Sequence, residues 1–172
     1  IAKGYFKSNP IFNNVALWWS TIIEKDEVHD AAQAFHFDYD GIKTLKLFVY
    51  LTDVEDENGP HVYIKKTHLS NKKPSELLKK NYVRIEDNEV FKYYDKSELT
   101  KIKGKKGTII LGDTSCFHKG QKLEKGNRLV FDIQFTSAIF GSANENYSIK
   151  KELYNKRLIS KNKKFTQKIR II

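Results

Sequence analysis

The chain has 172 residues, 40% of them hydrophobic and 30% charged, with five histidines, one cysteine and no methionine. That balance belongs to one folded domain with a sizeable core and excludes a disordered chain, and no run of 18 apolar residues offers a transmembrane helix. The formal charge of +10 is uneven: +7 lies from Ser142 onward and only +3 on residues 1–141, which counts against a nucleic-acid groove built into the fold.

The chain opens at Ile1 without a signal-peptide pattern, and with no Met in it a longer natural N-terminus is expected, with any targeting information carried there. Residues 15–19 (VALWW) form an apolar run bounded by Asn13, Asn14 and Ser20, which reads as a strand. Trp18 and Trp19 face opposite sides of it, one toward a barrel interior and one outward, and core packing is expected for both. Residues 24–30 are polar and read as a loop, with His29 solvated. Residues 34–38 are the next strand, closed by a turn at Asp40 and Gly41. Within it His36 and Asp38 share one face and Phe37 takes the other.

Residues 43–51 make a longer strand with two unlike faces. Leu45, Leu47, Val49 and Leu51 form the apolar one. Thr44, Lys46, Phe48 and Tyr50 form a mixed polar and aromatic one, suited to the inside of a ligand-holding barrel. Lys46 either helps to hold a carboxylate or carries its ammonium out to solvent. Residues 53–60 are acidic and end in Asn58-Gly59, a hairpin signal, and residues 61–64 return as a strand. His61 and His68 read as structural.

Residues 70–103 break the strand pattern. A short helix is expected over 74–80, with Pro74 in its first turn, and the start of another over 97–103. Such an insert is placed over the mouth of a barrel, where it could meet substrate. Gly104 to Gly107 turn the chain into a buried strand at 108–111, His118 follows, and residues 120–126 are a polar loop. Residues 128–135 are the last core strand, with Leu129, Phe131, Ile133 and Phe135 on one face and Arg128 and Val130 on the inner one. The basic tail, 142–172, includes an amphipathic helix over 149–158, read as solvated rather than bound to an anionic partner or membrane surface. The lone Cys116 excludes an internal disulfide and fits a reducing, cytoplasmic compartment. Alternation would put it on the face of His118, yet a small buried filler is its expected role.

Many short strands with turn signals and few short helices predict a mainly β chain, an antiparallel double sheet of the jelly-roll, cupin-like type. Residues 1–141 would form that domain and 142–172 a tail packed on or beside it. His36 and Asp38, joined by His118, would make a set of two imidazoles and one carboxylate. Such a set leaves metal positions open and suits non-heme Fe(II). Arg128, ten residues after His118, could hold an acidic co-substrate through two parallel donors, with Lys46 and Phe48 beside it.

The words around these residues carry a resemblance. Residues 34–41 (AFHFDYDG), 46–54 (KLFVYLTDV), 57–61 (ENGPH), Thr67-His68, 107–114 (GTIILGDT), His118-Lys119-Gly120 and Gly126-Asn127-Arg128 follow one another in a familiar order. Over roughly residues 10–141 the chain resembles the phytanoyl-CoA dioxygenase-like family of Fe(II)/2-oxoglutarate-dependent oxygenases. The resemblance implies a double-stranded β-helix in which His36, Asp38 and His118 hold Fe(II) and Arg128 the far carboxylate of 2-oxoglutarate. It also implies O2 as co-substrate, release of succinate and CO2, and hydroxylation of a small organic substrate, an anionic one included. Asp38 stands where halogenating relatives have a small residue, which favours hydroxylation. Gln134 stands where base-repairing relatives carry a second arginine, which argues against nucleic acid. Phe37 stands where other members often have Gln, which puts the co-substrate contacts around it in question. Two other readings stay open: an inactive cupin-like metal-binding module in which Arg128 pairs with Asp132 or Glu124, and a hydroxylase of a nucleic-acid or other polyanionic partner served by the tail.

Overall fold

The computed structural model describes residues 1–22, 32–38, 43–79, 84–137, 147–149 and 169–171. Alternation along β7 (Arg128–Thr136) decides how the larger sheet faces: Arg128, Val130, Asp132, Gln134 and Thr136 are buried, while the residues between them are half-buried. That strand lies between β1 (Ile11–Ser20) and β2 (Thr44–Tyr50), and β5 (Ile109–Gly112) closes the far edge, giving an antiparallel order β1-β7-β2-β5. Opposite it stands a smaller antiparallel sheet, β4-β3-β6, from β3 (His61–Ile64), β4 (Leu99–Ile102) and β6 (His118–Gly120). Single bridges extend the smaller sheet: His36 pairs with His118, and Phe35 with Ile85. The pair of sheets is the double-stranded β-helix expected from the strand pattern. Short helices complete it at α1 (Ala2–Phe6), α2 (Ser75–Leu78) and α3 (Asp87–Val90). Two short strands, β8 (Tyr147–Ile149) and β9 (Ile169–Ile171), pair parallel to each other. No helix among the described residues is long and apolar enough to cross a membrane.

The main apolar cluster lies on the outer side of the smaller sheet. Val62 and Ile64 of β3 meet Phe35, Phe37 and Phe117 from the strands and Leu77, Ile85, Val90 and Tyr94 from the helical insert. A second cluster, Phe48, Tyr50, Val54, Ile110 and Val130, fills one end of the space between the sheets.

Several expectations need correction. Asn58-Gly59 does not close a hairpin, because β2 and β3 belong to different sheets. Asn58 instead ends a 3-10 turn (Asp56–Asn58) whose capping box it completes with Glu55, and Gly59 follows at φ 70. The expected helix start at 97–103 is a 3-10 turn, Lys96–Glu98, leading into β4, whose backbone is claimed by β3. Tertiary pairing there outweighs local propensity. The apolar residues of the insert, Leu77, Ile85, Val90 and Tyr94, pack on the back of the smaller sheet. Residues 108–111 are not a buried strand: β5 is an edge, and Ile109 and Leu111 are exposed on its outer face. Trp18 and Trp19 do face opposite ways, across from Val130 and Leu129, but on the edge strand β1 both lie more than half exposed, at 57% and 70%. The loop with His29, the turn at Asp40-Gly41 and all of the proposed tail helix except Ile149 lie outside the described residues, and Ile149 ends β8.

Phe117 is fully buried with its ring edge-on to Phe37 and Tyr94. Phe117→Ala should therefore cost about 3–5 kcal/mol of unfolding free energy in a denaturant titration. Leu111→Ala, at an exposed position, should change it by no more than about 0.5 kcal/mol.

Candidate functional site

His36 and His118 are brought together by backbone pairing. The amide of each donates to the carbonyl of the other, at 3.0 and 2.8 Å, so their side chains leave the smaller sheet on the same face. The ring centroids stand 4.3 Å apart. Asp38 is fixed two residues on by its own amide, which donates to Thr114 O at 2.8 Å. The three side chains are buried, and their ligand atoms all lie within 4.8 Å of one another. Phe37 points the other way, into the apolar cluster, so it does not line this site.

Both imidazoles are oriented for metal binding. Nδ1 of His36 lies 3.0 Å from Ala34 O, and Nδ1 of His118 lies 2.9 Å from Cys116 O. A carbonyl only accepts, so each Nδ1 carries the proton and each Nε2 offers a lone pair. Those Nε2 atoms stand 3.9 and 4.0 Å from the carboxylate of Asp38. Burial, then the neighbouring His118 and Arg84, lower the pKa of His36 to about 3. Burial likewise lowers that of His118. Burial alone would raise Asp38, but the His118 imidazole and the Lys46 ammonium, 2.7 Å away, bring it down to about 2. Two neutral imidazoles and an ionised carboxylate are the protonation states a divalent cation needs, and the set can hold one with positions left over.

One step along β6 from His118, Arg128 stands against Gly120. Its guanidinium is buried, Nη2 donates to Ser20 Oγ at 3.2 Å, and Nε and Nη1 have no partner among the described residues. Neither Asp132 nor Glu124 pairs with it, so the structural ion pair of the inactive-module reading is not formed. Gly120 makes room for it: a Cβ there would meet Nη2 at 2.7 Å. Burial lowers the pKa of this arginine from its usual value. Lys46 turns to Asp38, so it belongs to the metal layer. The Phe48 ring stands 4.6 Å from that of His61. Cys116 contributes its carbonyl, and its thiol, 3.9 Å from His68 Nδ1, is a buried filler.

Three neighbours of the site were not anticipated. His61 is fully buried, with Nδ1 3.1 Å from Tyr50 Oη. Since that hydroxyl donates to Ile102 O, the proton between the two rings sits on His61. Tyr63, paired with His118 in the sheet, stacks its ring on that imidazole and crosses to Gly112, where its shielded hydroxyl finds no partner among the described residues. Arg84 stands beside His36. Inward alternation along 61–64 could have marked His61 and Tyr63, whereas nothing local marks Arg84.

The scan of protein families matches residues 8–124, well over half the chain, to the phytanoyl-CoA dioxygenase (PhyH) model. The chain belongs to the phytanoyl-CoA dioxygenase family. No curated protein matches it significantly. Among solved structures, AviO1 from Streptomyces viridochromogenes Tue57 is similar with a TM-score of 0.55 at 16% identity, over 80% of this chain and 56% of that one. EctD from S. alaskensis, in its apoform, gives 0.56 at 15% over 78% and 48%. HygX from Streptomyces hygroscopicus, with nickel and 2-oxoglutarate bound, gives 0.54 at 15% over 81% and 60%. At these identities the likeness concerns the fold, and the chain spans about half the length of those proteins.

The three buried imidazoles make the metal-free protein acid-sensitive. Unfolded histidines take up protons near pH 6.5, whereas folded His36 does so only near 3, and His61 and His118 are lowered as well. Between those limits the unfolded chain holds more protons, so stability falls as pH falls, by up to roughly 1.4 kcal/mol per pH unit for each site. Melting temperatures measured in a chelator should drop steadily from pH 7 to 5. A flat profile would contradict buried neutral imidazoles.

Proposed function

We propose that this PhyH-family chain carries the catalytic domain of an Fe(II)- and 2-oxoglutarate-dependent oxygenase that hydroxylates a small organic substrate. His36, Asp38 and His118 would hold the iron, and Arg128 with Ser20 the far carboxylate of 2-oxoglutarate. The observation that carries this reading is the adjacency of two unsatisfied sites. Three convergent metal donors lie one layer from a buried guanidinium whose Nε and Nη1 have no acceptor among the described residues. A buried donor without a partner is costly, and a dicarboxylate that chelates a metal at one end would satisfy both sites. Residues 1–141 would make up the oxygenase domain and 142–172 its basic tail.

When bound, iron and 2-oxoglutarate together reduce O2, one oxygen entering the substrate C–H bond and the other the succinate formed with CO2. The protein's own residues set the stage. The Nδ1 bonds to Ala34 and Cys116 stop the imidazoles from rotating, and Lys46 holds the Asp38 carboxylate in place. Phe48, His61 and Tyr50 pack on one another and would flank the path from the metal donors to Arg128, keeping water from it. Asp38 fills the ligand position that a halide would need, so hydroxylation is favoured over halogenation.

Oxygen consumption with Fe(II) and 2-oxoglutarate alone tests this without a guess at the prime substrate, since slow uncoupled turnover is expected. Arg128→Ala should weaken 2-oxoglutarate binding tenfold or more in calorimetry on Mn(II)-loaded protein, leaving metal affinity nearly unchanged. His118→Ala should abolish both. Intact co-substrate affinity in Arg128→Ala would reject the assignment. Absence of turnover with intact metal binding would favour the inactive cupin-like module. Turnover that requires a polyanion and is lost on deleting 142–172 would favour the hydroxylase of a polyanionic partner.

A further inference from the structure

Arg84 is placed by the same kind of backbone pairing that places the metal donors. The antiparallel bridge of Phe35 with Ile85 is closed by hydrogen bonds in both directions, at 3.0 and 2.7 Å. One residue outward along that pairing, Arg84 stands across from His36. Residues opposite each other in an antiparallel pair share a face, so Arg84 belongs to the metal-facing side. A single row thus crosses the smaller sheet: Arg84, His36, His118, Tyr63. Nη1 of Arg84 is shielded from solvent and has no hydrogen-bond partner among the described residues. Its charge reaches both imidazoles and helps to keep them neutral.

A guanidinium beside a cation site repels the cation, so a purely structural arginine would be expected to hold a carboxylate partner there, and Nη1 has none among the described residues. The charges of the cavity point the same way. Among the described residues, Arg84, Lys46 and Arg128 stand against Asp38 and Asp132, one positive charge in excess. A divalent metal and a doubly charged co-substrate cancel each other, so the excess survives loading. One further anionic group would balance it, and a carboxylate matches the planar donors of arginine.

We propose that Arg84 binds the carboxylate of the prime substrate, so that this site selects small organic acids and presents their C–H bonds to the metal layer. The inference rests on the oxygenase reading above. It is tested on the full chain loaded with Mn(II) and saturating 2-oxoglutarate, which fills the Arg128 pocket first. The probes are straight-chain monocarboxylates from propanoate to decanoate and the matching primary amides, read by paramagnetic broadening of their proton resonances. Saturable broadening is expected for at least one acid and not for its amide, with affinity lowered tenfold or more in Arg84→Gln and partly restored in Arg84→Lys. Mn(II) and 2-oxoglutarate binding, measured on the same samples, shows that each variant is folded. Equal binding of acid and amide, unchanged acid affinity in Arg84→Gln, or no saturable binding of any acid would overturn the proposal while leaving the oxygenase reading intact. Failure of the unsubstituted chain to bind Mn(II) and 2-oxoglutarate would remove both.

Discussion

The site depends on a two-way backbone pair between His36 and His118. These residues lie far apart in the chain, and neither side chain would find the other without it. A hydrogen-bonded antiparallel pair sets two Cα atoms about 5.5 Å apart with side chains on one face, a spacing from which two imidazoles reach one ion. Asp38 then follows from alternation, and its amide bond to Thr114 O holds the strand straight enough for the period to persist. The geometry of three donors thus reduces to a few main-chain hydrogen bonds, which side-chain substitution leaves largely intact.

That economy has a cost in where the protein can be stable. The inner face of β7 carries Arg128, Asp132, Gln134 and Thr136, all buried, and the space between the sheets cannot serve as an ordinary apolar core. The apolar work is displaced to the back of the smaller sheet, where Phe35, Phe37 and Phe117 meet the helical insert. Phe37 links the two tasks: its neighbours on either side belong to the cavity while its own ring belongs to that outer core. Strand alternation lets three consecutive residues serve two compartments.

The same alternation explains what was legible in the sequence. His36 and Asp38 on one face, the inner faces of 44–50 and 128–136, and Arg128 ten residues after His118 are all consequences of period two, and the structure has them. What the sequence hid depends on partners far along the chain. Asn58-Gly59 looked like a hairpin because the dipeptide tolerates a tight turn, but only sheet membership says whether the flanking strands pair. Residues 99–102 became a strand because β3 offered them a ladder. Trp18 and Trp19 had the right composition for a core, but edge position left them exposed. Arg84 became visible only through the register of residue 85 against residue 35.

Lys46 completes the electrostatic design. A carboxylate buried between two neutral imidazoles would, without a cation, tend to take up a proton, and a protonated acid is a poor metal ligand. The His118 imidazole and the ammonium at 2.7 Å together keep Asp38 ionised. An incoming divalent ion must then share that carboxylate with a positive neighbour, which weakens its hold relative to an isolated triad. The two effects oppose each other at any divalent ion that these three donors would hold. Arg128 follows the same logic one layer away: it is a fixed charge, already desolvated, whose Nε and Nη1 have no partner among the described residues, as the proposed carboxylate binding there would require.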